Sequence, residues 1–413
     1  MIRKLFKNTF IYTIGDFLTL AVSGILLLPY YTRAMSIEEY GVFGVVSAAV
    51  ALTTFIVHFG MVSAYARYYF MCKTDDDREI YTGHIILIHL GLSLLFVLLA
   101  LYGKEYFLNG VLSAIDNVLY FYGVLAIAFF SFMNALYSVY LRIIEKPGVF
   151  IVIQVATVSL FVILIFCFQK FLNSALESVV LALVVSGSLM WLVSLFGLRY
   201  QFRTNGLAEV AKSTMIFGMP IFLAYIMYFF LNKYNVLYLQ NYVDKEQLAF
   251  FTFALQLSSI IGILAASAGK AIQPILFKLN EADVINMAKK IALIYKAAML
   301  VLLIMSLLFV KEFILFFAPE EYLGSEAAIR VLFISAFFYN FRSVESNLFY
   351  YFHRPKYVLI IVSIGAAVVV GLSMSLVPKF GVLASAYSIL MGSLVVLALN
   401  KFCCYVLIKK VSN

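Results

Sequence analysis

Residues Ile85–Tyr102 read IILIHLGLSLLFVLLALY, a continuous apolar run without a single charged side chain. About 20 such residues let an α-helix cross the hydrocarbon core of a bilayer. The run does not alternate between apolar and polar side chains, as the strands of a transmembrane β-barrel do. Because the backbone finds no water within the membrane, it must satisfy its own hydrogen bonds as a helix. This stretch therefore predicts a membrane-spanning α-helix.

Similar runs recur along the whole chain, separated by short polar clusters. Of its 413 residues, 64% are hydrophobic and 12% are charged, and the mean hydropathy is +1.01. A soluble domain carries about 25% charged residues. We therefore expect an all-α integral membrane protein of about twelve transmembrane helices, without an extramembrane domain. The predicted helices are Asn8–Pro29, Gly41–Val62, Gly83–Gly103, Val118–Leu141, Val149–Gln169, Leu176–Arg199, Thr214–Leu239, Leu248–Lys270, Ala288–Phe317, Ile329–Phe352, Tyr357–Val377 and Val382–Leu407.

A polar stretch in the middle of the chain, Tyr200–Ser213, predicts a linker between two six-helix bundles. The expected parts are an N-terminal bundle at 1–200, a cytoplasmic linker at 201–213 and a C-terminal bundle at 214–413. The segment SIEEYGVF at 36–43, before the second predicted helix, is weakly similar to DKEQLAFF at 244–251, before the eighth. This similarity between the two halves predicts a parallel repeat, related by an axis along the membrane normal, with the two bundles around a central cavity. The alternative is a chance match.

Basic residues divide unequally between alternate connections, with about eighteen Lys and Arg on one side and about six on the other. Positive residues are retained on the cytoplasmic side of a membrane, so both termini are expected there. The net charge of +9 is then a topology signal, and no basic patch with interleaved aromatic residues indicates nucleic-acid binding. The start, Met1–Lys4, leads into an apolar segment without a cleavage site, which we interpret as a retained first helix.

The cysteines and histidines have none of the spacings that metal ligands need, so we expect no metal site and no cofactor. We interpret the cysteines as unpaired thiols and the histidines as structural residues. These residues are Cys72, Cys167, Cys403, Cys404, His58, His84, His89 and His353.

Five short motifs, in this order and at these positions relative to the predicted helices, resemble those of Wzx-type O-antigen flippases. They are LPYYTRAMSIEEYG at 28–41, SAYARYYF at 63–70, RIIEKP at 142–147, GMP at 218–220 and VPKFGV at 377–382. The resemblance implies the polysaccharide branch of the MOP superfamily, which also holds MATE-like multidrug or cation antiporters and the lipid II flippase.

Members of that branch move oligosaccharide linked to undecaprenyl diphosphate from the cytoplasmic to the periplasmic leaflet of the bacterial inner membrane. The resemblance thus implies an O-antigen or similar unit of lipopolysaccharide biosynthesis as substrate, and other polysaccharide-assembly membrane proteins as partners. This chain departs from the family in the seventh predicted helix, where it reads Asn232-Lys233-Tyr234. Many relatives carry an Asp-Arg pair there, so this chain keeps the cation and lacks the carboxylate.

Moving a diphosphate and sugars through the hydrocarbon layer requires polar and cationic side chains, because charge and unpaired hydroxyls are costly there. Polar residues at three- or four-residue spacing share one helix face, and three predicted helices carry such stripes. The members are Thr9, Tyr12, Asp16, Thr19 and Ser23 in the first, Tyr225, Tyr228, Asn232 and Asn235 in the seventh, and Ser335, Tyr339, Arg342, Ser346 and Tyr350 in the tenth. For the uncharged members, ordinary helix packing is the alternative.

Charged residues inside these helices are the stronger candidates, since an ionised group in a membrane needs a partner or water. Arg342, near the middle of the tenth predicted helix, is too deep to reach the headgroups and is expected to bind phosphate or acidic sugar. Lys233 and Asp16 are further candidates for a substrate-lining role. Glu345 follows Arg342 by one turn and is either its intrahelical partner or, like Asp16, a group for coupling to H+ or Na+.

Three basic residues near the cytoplasmic ends of their helices have two interpretations each. Lys270 and Lys296 either bind substrate or extend to the headgroups by snorkelling. Arg67 either contacts phosphate or reflects topology.

The expected function is a flippase that works by alternating access and is not an enzyme. A glycan polymerase is disfavoured because glycosyl chemistry needs paired acid and base groups, and the longest external connection, Lys104–Asn117, carries only Glu105 and Asp116. A cation-coupled drug or ion antiporter on the same scaffold is the other alternative. Its cationic drugs would require a more acidic cavity than this basic set of residues offers.

Overall fold

A computed structural model describes residues 12, 15, 22–277, 279–352 and 354–412 of the chain, and this part contains helices and turns without a strand. The all-α fold class is therefore confirmed. In chain order the helices are α1 (Leu28–Ala34), α2 (Ile37–His58), α3 (Met61–Tyr69), α4 (Asp75–Tyr102), α5 (Lys104–Tyr106), α6 (Val118–Ile143), α7 (Pro147–Gln169), α8 (Ala175–Gly197), α9 (Leu207–Asn232), α10 (Tyr234–Leu239), α11 (Lys245–Leu276), α12 (Glu281–Leu308), α13 (Val310–Phe317), α14 (Glu326–Asn340), α15 (Ser343–Tyr351) and α16 (Lys356–Ser412). Short π turns at Val22–Leu26 and Phe107–Val111 and a 3-10 turn at Glu320–Ser325 complete the set.

Ten segments of the described chain are long and apolar enough to cross a membrane. The last of them, Lys356–Lys409, has 54 residues, which as one helix would measure about 80 Å and exceed the hydrocarbon core more than twofold. Its backbone leaves helical geometry at Gly381, where φ is +58°, so the segment makes two passes. With the first predicted helix, most of which lies outside the described residues, the count agrees with about twelve spans.

Four predicted helices are each divided by a turn in the structure, which corrects their predicted bounds. The turns are at Phe59–Gly60 after α2, Lys233 after α9, Phe309 after α12 and Phe341–Arg342 after α14. The first turn has a visible cause. Gly60 has a φ of +71°, and a Cβ there would lie 2.5 Å from the carbonyl oxygen of Gly218, so only glycine permits this crossing of α9.

The described chain forms two compact units, of which the first holds residues 45–226 with Tyr12 and Gly15. Its core is rich in aromatic residues that are buried together, including Tyr65, Phe132 and Phe150. The hydroxyl of Tyr12 donates a hydrogen bond to the carbonyl oxygen of Leu141 at 3.4 Å, and its ring packs edge-on against Phe150. These contacts place Tyr12 in the first unit.

The connection between α8 and α9 is fixed to the start of α4. Gln201 donates from its backbone to the carbonyl of Glu79 at 3.0 Å and from its side chain to Asp76 at 2.6 Å. A Cβ on Gly83 would lie 2.1 Å from the carbonyl oxygen of Gln201, so the two backbones are in direct contact. Because α9 begins at Leu207, the second half of the predicted linker is helical.

The second unit holds residues 22–44 and those from 227 onward. A buried aromatic group of Tyr40, Phe253 and Tyr322 forms part of its core. The hydroxyl of Thr32 donates to the carbonyl oxygen of Phe317 at 2.6 Å, which ties α1 to the end of α13. Helices α14, α15 and α16 pack together in this unit and carry the polar residues described next.

A candidate anion-binding site in the second unit

The turn between α14 and α15 places Arg342 inside the second unit. Helix α14 ends at Asn340, and Arg342 is the residue that precedes the first turn of α15. Its carbonyl oxygen accepts hydrogen bonds from the backbone and the hydroxyl of Ser346, at 2.9 and 3.1 Å. The side chain of Arg342 is only 7% exposed. Arg342 therefore lies in a break, which corrects its predicted position within a continuous helix.

The guanidinium of Arg342 is held by neutral groups. Its Nη1 donates to the hydroxyl oxygen of Ser346 at 3.1 Å, and this oxygen also accepts a hydrogen bond from Asn400 at 2.9 Å. The Cζ atom lies 4.5 Å from the centre of the Tyr339 ring, which is a cation–π distance. We call Arg342, Ser346, Asn400 and Tyr339 the arginine cluster.

Arg342 has no anionic partner in the described part of the chain. It forms no ion pair there, and its buried Nε atom has no hydrogen-bond acceptor. The buried carbonyl oxygen of the Asn400 side chain likewise has no described donor. Besides Tyr339, the phenols of Tyr228 and Tyr350 lie within electrostatic range of the guanidinium. These neighbours do not neutralise its charge.

A buried guanidinium without a carboxylate is unfavourable in a membrane protein unless an anion or water is within reach. The planar group binds two oxygen atoms at once, which suits phosphate and carboxylate. Nη1 of Arg342 already donates to Ser346, so the edge of the guanidinium that carries Nε is the one that can bind two oxygen atoms of an anion. The arginine cluster can therefore bind an anion.

Glu345 pairs with a residue other than Arg342. Its Oε1 atom lies 2.5 Å from Nζ of Lys296 on α12, and both side chains are about four-fifths buried. The interpretation of Glu345 as the intrahelical partner of Arg342 was wrong. Because Arg342 lies in the turn, its side chain extends along α15 to Ser346, four residues on, and does not meet Glu345 at three.

Two lysines approach the same aromatic ring next to Arg342. The Nζ atoms of Lys296 and Lys401 lie 4.8 and 5.5 Å from the centre of the Phe341 ring. Of the described residues in these contacts, Lys296, Lys401 and Arg342 are cations and Glu345 is a carboxylate, which leaves a net charge of about +2. The region attracts anions and repels cations.

Two other predicted residues lie at the break between α9 and α10. Asn232 ends α9, and its side chain donates to the carbonyl oxygen of Tyr228 at 2.9 Å. Lys233 lies in the turn itself, and its side chain is exposed. Tyr228 thus links Asn232 to the arginine cluster, since its phenol lies near Arg342.

The remaining predicted residues lie elsewhere or outside the description. Arg67 is in the last turn of α3 in the first unit, where it is exposed and its guanidinium carbon lies 4.7 Å from the ring centre of Phe217. Asp16 lies outside the described residues, as does the side chain of Lys270. Their assigned roles stay predictions.

Sequence reasoning missed Asn400 and Lys401. Asn400 is fully buried and follows Ser393 by seven residues, or two helical turns, on α16. Ser393 bonds to Ser335 at 2.8 Å, and Asn400 bonds to Ser346, so one face of α16 meets both. The two-turn spacing was the available signal. Lys401 is near the predicted end of its helix and gave none.

Comparisons with known proteins define the class of the chain. Residues 5–280, more than half of the length, match the family described as "Polysaccharide biosynthesis protein", and the chain belongs to that family. The "Lsg locus putative protein 1" of Haemophilus influenzae is 25% identical over 284 residues, 67% of this chain and 66% of that protein. An "Uncharacterized membrane protein" of the same organism is 23% identical over 347 residues, 80% of each chain.

Solved structures share the fold. The structure titled "Lipid II flippase MurJ, inward closed conformation" superposes with a TM-score of 0.76 at 14% identity, covering 97% of this chain and 86% of that one. A MATE family multidrug resistance transporter of the MOP superfamily, in an inward-facing conformation, gives 0.72 at 16% identity, covering 98% and 95%. The family match confirms the resemblance to a polysaccharide biosynthesis family, and the solved structures confirm the fold that the resemblance implied.

Proposed function

We propose that the chain is a flippase-type transporter that carries a lipid-linked saccharide across the bacterial inner membrane. The observation that supports this most is the buried guanidinium of Arg342, which has no anionic partner in the described chain. A diphosphate offers the paired oxygens that such a group binds. In a protein of a polysaccharide biosynthesis family, the matching ligand is an oligosaccharide on undecaprenyl diphosphate.

The resemblance of five motifs to Wzx-type flippases makes an O-antigen or similar repeat unit our choice of saccharide. In this proposal Arg342 grips the diphosphate, while Lys296 and Lys401 add positive potential beside it. The sugars are carried by alternating access, and the undecaprenyl tail stays in lipid. Covalent bonds are neither made nor broken, so no catalytic residue is assigned.

The experiment that tests this proposal uses the purified protein in liposomes that contain an undecaprenyl-diphosphate-linked oligosaccharide. The leaflet is read by a lectin or glycosidase added outside. We expect oligosaccharide to become accessible or protected according to the side of loading, with its mass unchanged. New glycosidic bonds would contradict the proposal, and so would the absence of any protein-dependent change of leaflet.

A drug or ion antiporter on this fold is the rival, because one matched structure is titled as a multidrug resistance transporter. A cationic drug would have to approach a region of net positive charge around Arg342. We therefore expect no protein-dependent movement of a cationic dye in the same liposomes. Dye movement that oligosaccharide fails to inhibit would favour the rival.

Both termini are proposed to be cytoplasmic, as the distribution of Lys and Arg predicts. Reporter fusions after Asn413 and within residues 200–206 should both report cytoplasm. A periplasmic signal from either fusion would contradict this orientation.

A further inference from the structure

A pair of histidines lies in the first unit, apart from any residue assigned above. His58 is the last residue of α2, and its Nε2 atom lies 2.9 Å from the hydroxyl oxygen of Ser131 on α6. That hydroxyl donates its own hydrogen to the carbonyl oxygen of Ala128 at 2.7 Å. Ser131 must therefore accept from His58, which assigns the hydrogen of the neutral ring to Nε2 and leaves Nδ1 as the basic nitrogen.

His89 lies on α4 and completes the pair. Its Nδ1 is 3.1 Å from the hydroxyl of Ser93, and its side chain is fully buried. The ring stacks on Phe132 at 3.8 Å between centres, while His58 meets the same phenylalanine edge-on at 5.4 Å. We call His58, His89, Ser93 and Ser131 the histidine cluster.

The histidine cluster has no counter-charge among the described residues. Among the described residues, His58 is the one ionisable group whose charge affects His89, and none affects His58. The elements around the pair contribute Ser131 and the rings of Phe129 and Phe132 from α6 and the backbone of Val57 from α2, while Trp191 from α8 packs behind Phe129. Both rings contact Phe132, and a charge on His58 disfavours a charge on His89, so the pair is suited to hold one proton and not two.

The two imidazoles differ in accessibility. His58 is half-buried, whereas His89 is sealed from solvent. His58 is therefore the imidazole at which a proton would first bind, while His89 responds electrostatically from the interior.

The turn that follows His58 connects the cluster to α9. Phe59 has a φ of +43°, an unusual conformation for a residue with a side chain, and Gly60 has +71°. The ring of Phe59 stacks on Phe222 at 4.7 Å, and Gly60 touches the backbone of Gly218. A change of charge on His58 is therefore adjacent to the packing contact between the end of α2 and α9. Helix α9 continues to Asn232.

We propose that His58 and His89 form a proton-binding site in the first unit that couples proton movement to transport. One proton binds to Nδ1 of His58 from one side of the membrane and is released to the other when the protein changes conformation. This inference rests on the proposed transport function for its physiological role, but proton binding itself can be measured without any saccharide. It places proton coupling at His58 and His89 instead of Asp16 or Glu345.

The first test uses the single tryptophan of the chain as a reporter of charge on the cluster. Trp191 stacks on Phe129 at 6.1 Å, and Phe129 stacks on His89 at 5.6 Å. Tryptophan fluorescence of the purified full-length protein is recorded from about pH 8 to about pH 3, a range that extends to the low pH at which a buried histidine takes up its proton. We expect a one-proton titration in the wild type that is absent in the double variant His58→Gln, His89→Gln.

The control for that test is His84→Gln. His84 is a buried histidine on the same helix, five residues before His89, and its side chain has no described hydrogen-bond partner. The His84→Gln protein should keep the wild-type titration. A titration that persists in the double variant, or that disappears with His84→Gln alone, would overturn the assignment of the proton site.

The second test measures coupling in liposomes that contain the undecaprenyl-diphosphate-linked oligosaccharide. A gradient of about one pH unit gives about a tenfold bias in proton concentration. When the gradient is imposed, the wild type and His84→Gln should shift the ratio of oligosaccharide between the two leaflets by up to about tenfold. The double variant should still move oligosaccharide between the leaflets, but the ratio should not depend on the gradient. A double variant that follows the gradient, or a wild type that exchanges oligosaccharide without responding to it, would refute the coupling.

No exchange by any protein would instead refute the proposed function, and the fluorescence titration would still decide whether the proton site exists.

Discussion

Arg330 and Arg342 lie on one membrane span, twelve residues apart, and the protein surrounds the two guanidinium groups differently. Arg330 donates from Nε and Nη2 to one oxygen of Glu326, at 3.0 and 2.7 Å, and from Nη1 to the carbonyl of Leu307 at 2.9 Å. Arg342 donates to a serine hydroxyl, and its buried Nε has no described acceptor. One arginine is fully satisfied by the protein, and the other is not.

The difference separates two roles for an intramembrane charge. Arg330 neutralises a carboxylate and bonds the last turn of α12 just before the break at Phe309. That arrangement holds helices together. An unsatisfied guanidinium contributes little to folding, because burying it costs more than its neutral contacts return. Such a group is expected where an anionic ligand supplies the missing interaction.

The largest expected effect on stability comes from Arg330→Ala. This change removes the nearer cation from Glu326, which keeps Lys311 at 4.0 Å, and leaves the carbonyl of Leu307 without its donor, so it should lower the free energy of unfolding by about 1–3 kcal/mol. Arg342→Ala removes a charge that no described residue pairs, so its unfolding temperature should equal or exceed that of the wild type. Thermal unfolding of both variants in detergent makes the comparison. A larger loss with Arg342→Ala than with Arg330→Ala would reverse the assigned roles.

The pair formed by Lys296 and Glu345 should behave like Arg330 and not like Arg342. Lys296→Ala leaves a carboxylate whose other oxygen is already buried without a described donor, at an expected cost of about 1–2 kcal/mol. The double variant Lys296→Ala, Glu345→Ala should recover most of that loss. A double-mutant cycle of unfolding temperatures measures the coupling. Strictly additive effects would show that the pair contributes nothing to stability.

A smaller effect is expected from Asn400→Ala, which removes one donor from Ser346. Ser346 orients Arg342, so a loss of about 1 kcal/mol in the bound state should slow oligosaccharide movement about fivefold. The matched control is Ser393→Ala, two turns earlier on the same helix face, which bonds to Ser335 and not to the arginine cluster. Equal rates for the two variants would show that Asn400 has no special relation to Arg342.

Hydropathy was sufficient to predict the number and the approximate bounds of the spans, because length and apolar content are fixed by the bilayer. The breaks were harder. Gly60 and Gly381 have positive φ values and are visible as glycines, but the turns at Lys233 and at Phe341–Arg342 contain neither Gly nor Pro. Conversely, Pro220 and Pro378 lie within helices. Neighbouring helices in a membrane re-satisfy the backbone around a proline, so the residue does not mark an end.

The site was partly predictable for a related reason. Charge inside an apolar segment is rare enough to mark Arg342, Lys296 and Glu345 from sequence alone. Which cation pairs with Glu345 depends on the turn at Phe341–Arg342, which local sequence did not reveal. Asn400 contributes through its hydrogen bond to Ser346, which lies 54 residues earlier in the chain and on another helix. The residue pattern of a single helix does not encode such a partner.

In the proposed function, the guanidinium of Arg342 binds the anionic part of a transported lipid-linked saccharide. The most direct test is the rate of oligosaccharide movement in liposomes for Arg342→Lys, Arg342→Ala and the double variant Arg342→Ala, Glu345→Ala, at equal protein content. Lysine keeps the charge without the planar fork and should retain about a tenth of the wild-type rate. Alanine should lose about a hundredfold, and removal of Glu345 as well should not restore movement, since Glu345 pairs with Lys296. A wild-type rate for Arg342→Ala, or recovery in the double variant, would contradict the claim.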